Sequence, residues 1–219
     1  ITAAGAEVIG LQEVDNRWGT RSEFEDQATW LADRLDMNVT FAANLDNPPA
    51  PGQTDRQQYG TAILSRHPIV RSSHRLLTSM EYPDRPTEQR GLQTATINVR
   101  GVLIDVFNTH YDHQRAEQRD LAVTETLEAI KRNDRPTVLL GDLNAEPEVP
   151  EIQRLTSLLN DPFAGRDDAD TYPADAPTKR IDYILGRYVT FSEAEVIPSP
   201  ASDHLPVVAT ITFSARTRT

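Results

Sequence analysis

The chain has 219 residues and no cysteine. That excludes a disulfide framework, a thiolate nucleophile and a thiolate zinc site, and it leaves the redox compartment open. Basic charge is also scarce. Twenty-two Lys and Arg stand against 33 Asp and Glu, for a net charge of −11. Wrapping a long nucleic acid takes a dense array of Lys and Arg, so this balance argues against such a partner. It does not exclude a phosphate-bearing substrate, because a bound divalent cation inverts the local field. No apolar run approaches the roughly 18 residues of a membrane span. Residues Ile1 to Ala6 lack the basic-then-apolar pattern of a signal peptide. These absences fit a soluble protein, cytoplasmic or secreted, of unassigned oligomeric state. No repeat, low-complexity tract or linker divides the chain, so residues 1–219 read as one domain. A domain of that size buries roughly 70% of its unfolded surface and needs no cross-link to hold its core.

What is present is a series of short apolar runs ending in polar residues. Val8 to Leu11 read as a buried strand delivering Glu13 at its carboxyl end. Ser22-Glu23-Phe24-Glu25 reads as a capping box opening a helix through about Leu35. Val39 to Ala42 suggest a second strand, and Asn44 to Gln58, rich in Pro, Asn and Gln, a surface loop. Strand patterns follow over Tyr59 to Ser65, Val70 to Leu77, Leu92 to Ile97 and Val102 to Phe107, interrupted by a Pro-bearing loop over Met80 to Gln89. Arg115 to Arg132 carry the clearest helical stripe. Val138 to Leu140 form a strand, Glu151 to Leu159 a helix after Pro150, and Asp161 to Lys179 a long loop. Ile181 to Leu185, Val189 to Ile197 and Val207 to Phe213 complete the strands. Strands outnumber helices and several connect as hairpins, so the class is α+β.

The most informative stretch is Leu139 to Pro147, where an apolar run stops at Asp142 and Asn144. Positions i and i+2 of an extended chain face the same way, so both can point into one cleft. Gly141 would let backbone approach a ligand, and Pro147 turns the chain away. The plainer reading makes Asp142 and Asn144 turn formers. Glu13, His110, Asp182, Asp203 and His204 sit similarly at strand ends, and each has a plain reading too: a turn cap, a satisfied core histidine, or, for Asp182, a partner of Arg180. Taken together the plain readings fail, since a buried carboxylate without a partner costs several kcal/mol. Carboxylate and amide oxygens suit Mg²⁺ or Mn²⁺, and imidazoles suit proton transfer.

Six segments in order carry a specific resemblance: Leu11-Gln12-Glu13, Tyr59 to Ser65, Asn108-Thr109-His110, Gly141 to Asn144, Arg180 to Ile184 and Ser202 to Pro206. Together they resemble the endonuclease/exonuclease/phosphatase superfamily over nearly the whole chain. The resemblance implies a four-layer α/β/β/α sandwich of two mixed β-sheets with outer helices. It also implies a Mg²⁺- or Mn²⁺-dependent phosphoesterase using in-line attack by water. Glu13 would be a metal ligand, with Asp203 supporting the metal or His204. Asp142 would orient or deprotonate the water, and Asn144 would hold the phosphate. His204, paired with Asp182, would carry a proton or stabilise the transition state, and His110 would face the phosphate. Tyr59 and Arg90 would join the substrate site, Arg90 being equally readable as a surface salt-bridge partner. Whether Asp142 or His204 takes the water's proton stays open. Family members open with a strand carrying an Asn of the site. Ile1 stands where the helix after that strand would end, so the resemblance implies that the sequence in hand lacks the native N-terminus and with it the family's first strand; were that strand truly absent, a central sheet position would be empty.

Composition favours a small molecule or lipid headgroup as the phosphate ester. The alternatives are an endonuclease or exonuclease on DNA or RNA, with Arg56, Arg85 and Arg90 supplying contacts, and a non-catalytic binding module of the same fold.

Overall fold

Three separate apolar clusters organise the chain, and each is a seam between two layers. The computed structural model describes residues 1–132 and 134–214. One layer is a five-stranded sheet ordered β4-β5-β6-β7-β8, built from Ile69–Leu76, Gly91–Val99, Val102–His110, Thr137–Asp142 and Asp182–Arg187. It is mixed, since β6 and β7 run parallel and the other pairs antiparallel. Facing it is an antiparallel sheet ordered β1-β3-β2, from Val8–Asn16, Gln57–Ser65 and Asn38–Asn47. A two-stranded ladder, β9 (Thr190–Val196) with β10 (Val207–Thr212), packs on the same inner face.

The inner seam holds Ile63, Ala95, Ile97, Ile104, Val106, Val138 and Ile184, all buried. Helix α1 (Gln27–Leu35) covers the outside of the three-stranded sheet through Ala28 and Ala32 against Ala62 and Leu64. Helices α2 (Ala116–Lys131) and α3 (Pro150–Thr156) cover the other sheet. There Val123, Ile130, Ile152 and Leu155 meet Phe107, Leu139 and Leu185. The order helix, sheet, sheet, helix is the four-layer sandwich. Between the sheets, buried Asn108 of β6 spans the seam. Its Nδ2 donates to the carbonyls of Leu11 and Ala62, each at 2.9 Å, and its Oδ1 accepts from Gln12 Nε2 at 2.6 Å. Such a fully satisfied buried amide fixes how one sheet sits over the other.

Several expectations need correction. The first helix does not begin at Ser22: Glu23 and Phe24 adopt φ of 53° and 56°, incompatible with a first helical turn. Asp26 is the cap instead, its Oδ1 accepting from Thr29 N at 3.0 Å. The stretch Asn44 to Gln58 is loop only in its middle. β2 continues to Asn47 and β3 resumes at Gln57, zipped by pairs from Leu45–Tyr59 to Asn47–Gln57. β1 does not end at Glu13 but runs on to Asn16, with a register shift between Leu11 and Val14. Gly141 serves a neighbouring strand rather than a ligand, since a Cβ there would lie 2.3 Å from the Thr109 carbonyl oxygen. Arg180 pairs with buried Asp161 at 2.6 Å, which frees Asp182 from the plain reading.

Candidate active site

Strand register sets three of the expected side chains in one row. Parallel β6 and β7 bring His110 opposite Asp142, and antiparallel β8 starts with Asp182 opposite Asp142. Gly141 is what lets β7 lie close to β6 just before this row. His204 reaches the row from the loop before β10, which is tied down where Leu205 N donates to the Thr171 carbonyl at 2.8 Å and Ala174 N to the Asp203 carbonyl at 2.7 Å.

Asp142 is the centre. Its Oδ2 lies 3.4 Å from His110 Nε2 and 3.9 Å from His204 Nε2. The far nitrogen of His204, Nδ1, lies 2.8 Å from Asp182 Oδ2. That oxygen also accepts from the buried Thr171 hydroxyl at 2.6 Å. On the other side, the far nitrogen of His110, Nδ1, receives Arg90 Nη1 at 2.9 Å. Ligand atoms of Asp142, Asp182 and His204 lie within 4.8 Å of one another, so these three can hold a metal ion.

Two imidazoles on one carboxylate are driven in opposite directions. Burial, joined by the charge of Arg90, pushes His110 well below the usual imidazole range, so it is neutral. At His204 burial also opposes the imidazolium, but the Asp182 hydrogen bond and the charges of Asp182, Asp142 and Asp203 outweigh it and raise the ring to about 9. Asp142 is raised to about 7, by burial first and by the charge of Asp182 next. A hard cation between the carboxylates would relieve that burden, and the donor set of carboxylate oxygens and imidazole suits one.

Asn144 arrives by a route other than strand alternation. It lies in the left-handed region at φ 49°, its N–H donating to Asp142 Oδ1 at 2.8 Å. That is the turn of the plain reading, and it also places Asn144 Nδ2 at 3.0 Å from His110 Nε2. Turn and site are one arrangement. Glu13 and Asp203, the two expected metal ligands, fall outside the converging cluster. Glu13, at φ 56° in the β1 irregularity, is exposed, and its charge bears on the Tyr59 hydroxyl. Asp203 accepts from Ser202 in its own loop at 3.3 Å. Tyr59 is buried and stacks on Trp18 with ring centroids 5.4 Å apart; burial first, then the charges of Glu13 and Glu88, push its hydroxyl pKa up. Arg90 is buried and pairs with Glu88 at 2.6 Å, so its salt bridge and its place at His110 coexist. Sequence reasoning missed Glu88 and Thr171. Glu88 stands two residues before Arg90 in the loop leading into β5, a spacing that signals a shared face on extended chain. Nothing local marks Thr171.

Comparison with known proteins agrees with this architecture. In Schizosaccharomyces pombe, the protein cwh43 is 30% identical over 195 residues, covering 87% of this chain but 18% of its own length. The chain therefore spans about a fifth of that relative. Among solved structures, a mannosyl-6-phosphatase of Bacteroides thetaiotaomicron superposes with a TM-score of 0.75 at 19% identity, covering 97% of this chain and 87% of that one. The human nocturnin catalytic domain with bound sulfate superposes at 0.71 with 20% identity, covering 98% and 83%. At these identities the likeness speaks for the fold. The sequence profile of the Endonuclease/Exonuclease/phosphatase family matches residues 1–204, nearly the whole length, and the chain belongs to that family.

Proposed function

We propose that the protein is a divalent-metal-dependent phosphoesterase acting on a small phosphate ester or a lipid headgroup. The observation that carries this is the position of Asp142, buried between a neutral and a cationic imidazole with Asp182 behind the second. Asp142 and Asp182 would hold Mg²⁺ or Mn²⁺, with Glu13 and Asp203 as further oxygen donors from the rim. The ion supplies charge neutralisation at the phosphoryl oxygens. His204, charged below about pH 9, stabilises negative charge building on the phosphoryl group or protonates the leaving oxygen. Asp142 orients the attacking water, and Asn144 faces the phosphate. Tyr59 would contribute to the substrate side of the site.

The nuclease reading is less well supported. Arg56 is engaged by Asp46 at 2.7 Å and Arg85 by buried Asp112 at 3.2 Å, so neither is free to track a backbone. The mannosyl-6-phosphatase neighbour fits a small substrate. Among the described residues no helix is long and apolar enough to cross a membrane. The test is hydrolysis of bis-p-nitrophenyl phosphate and p-nitrophenyl phosphate with added Mg²⁺ or Mn²⁺. Chelation should abolish turnover, and Asp142→Ala or His204→Ala should each lower kcat by about 10²-fold or more. Full activity in chelator would sink the proposal.

A further inference from the structure

We infer that Arg90 is a positioning residue that locks His110 into the tautomer carrying its proton on Nε2, beside Asp142. The inference rests on the phosphoesterase reading only for its kinetic consequence.

A guanidinium has donors and no acceptor. At 2.9 Å from His110 Nδ1, Arg90 Nη1 can only donate, and Nδ1 can only accept. A ring that accepts at Nδ1 and is neutral must carry its hydrogen on Nε2. Arg90 is held from two sides, although its Nε is buried without a hydrogen-bond partner. Nη1 is also ion-paired with Glu88 Oε1 at 2.6 Å. The Arg90 main-chain carbonyl accepts from Leu77 N at 2.9 Å and from Gln89 Nε2 at 2.8 Å. The side chain is only 6% exposed.

A rival claims the same ring. Asn144 Nδ2 lies 3.0 Å from His110 Nε2 and donates to the Tyr111 carbonyl at 3.1 Å. Were it to donate to Nε2 as well, the ring proton would have to sit on Nδ1, facing a guanidinium N–H. The ring has one acceptor lone pair and two candidate donors. A charged donor makes the stronger bond, and Arg90 is clamped, so Arg90 takes it. Asn144 keeps the Tyr111 carbonyl, and the carboxylate of Asp142 stands beside the Nε2–H, its Oδ2 3.4 Å from Nε2.

The consequence bears on mechanism. With its only lone pair committed to Arg90, His110 cannot take a proton from water. It serves as a neutral hydrogen-bond donor to Asp142 or to a phosphoryl oxygen, and the base is left to Asp142 or His204.

Long-range ¹H–¹⁵N spectra of ¹⁵N-histidine-labelled protein read the tautomer directly, with His110 identified by its loss in His110→Gln. Between about pH 6 and 8, where an ordinary imidazole titrates, the wild-type ring should stay neutral with Nε2 protonated. Arg90→Met should move it to the Nδ1-protonated form or a mixture, and Arg90→Lys, which keeps a donor, should retain Nε2–H. In turnover, Arg90→Met should lower kcat by about tenfold or more, with partial recovery in Arg90→Lys. A wild-type ring protonated on Nδ1 overturns the inference, as does Arg90→Met with an unchanged ring and a raised KM alone, the signature of a simple phosphate ligand. The wild-type and Arg90→Lys spectra decide even if Arg90→Met fails to fold. They decide equally if no phosphate ester is turned over, so the two failures are told apart.

Discussion

Asp142 and His204 are set against each other in stability as well as in chemistry. Asp142 is raised to about 7 from 3.8, so the folded protein resists its ionisation. The penalty appears as pH climbs from about 4 and is complete above about 7. Removing the charge with Asp142→Asn should therefore stabilise the metal-free protein at pH 8 and do little at pH 4.5, although each pKa unit is worth at most about 1.4 kcal/mol. His204 has the opposite sign. Its folded pKa is raised to about 9, so its contribution is fully present below about 6.5 and is lost as pH rises through 9. His204→Gln should lower Tm more at pH 6 than at pH 9.5, by an amount that solvent screening keeps modest, since a quarter of its side chain is exposed. Thermal melts in chelator at these pH values check both. A penalty for His204→Gln that grows with pH would contradict the pairing with Asp182. Asp142 and Asp182 were legible in the sequence because each ends or begins an apolar strand, and His204 because it stands in the polar loop just before the last one. Thr171, which donates to Asp182, was not, since it lies in a long loop and meets its partner only through the fold.

At the scale of elements, pattern reading succeeded where burial decides and failed where loop hydrogen bonds decide. The stripe over Arg115 to Arg132 matches α2 to within a residue, because Val123, Leu127 and Ile130 must face the sheet. The start of α1 did not match. Ser22 and Glu25 have the spacing of a capping box, but Phe24 N donates to the Gly19 carbonyl at 3.0 Å and Glu25 N to that of Ser22 at 2.8 Å. The chain is still turning there, and Ser22 Oγ donates to Gly19 as well. Asp26 holds Thr29 with both oxygens, at 3.0 Å to the amide and 2.7 Å to the hydroxyl. Asp26→Ala should cost about 1 kcal/mol, and Ser22→Ala less than about 0.5 kcal/mol, as for a surface change away from a cap. Urea unfolding of the two variants separates the assignments; an equal or larger loss at Ser22 would restore the capping box. Glu13 stands apart from the row for a related reason, since no periodicity announces the register shift between Leu11 and Val14 in which it lies.

For the whole molecule, both the layering of two facing sheets under outer helices and the pairing of distant strands into one row were legible only through the order of the six motifs. Net charge acts at this scale too. The −11 repels anionic substrates at long range, while Arg90 and His204 attract them only within the cleft. Salt screens the distant repulsion first, because the Debye length falls to about 10 Å at 0.1 M. For a small phosphate ester the two effects oppose, so raising NaCl from about 0.02 to 0.2 M should change kcat/KM by less than about threefold. A nuclease releasing counterions at several phosphates would instead lose about 10³-fold or more over a comparable range. Initial rates on p-nitrophenyl phosphate and on plasmid, each across this range at fixed metal concentration, measure the difference. Weak salt dependence on the small ester with no plasmid cleavage supports the small-substrate reading; efficient cleavage of plasmid with a steep salt slope would transfer the assignment to nucleic acid, despite the acidic surface.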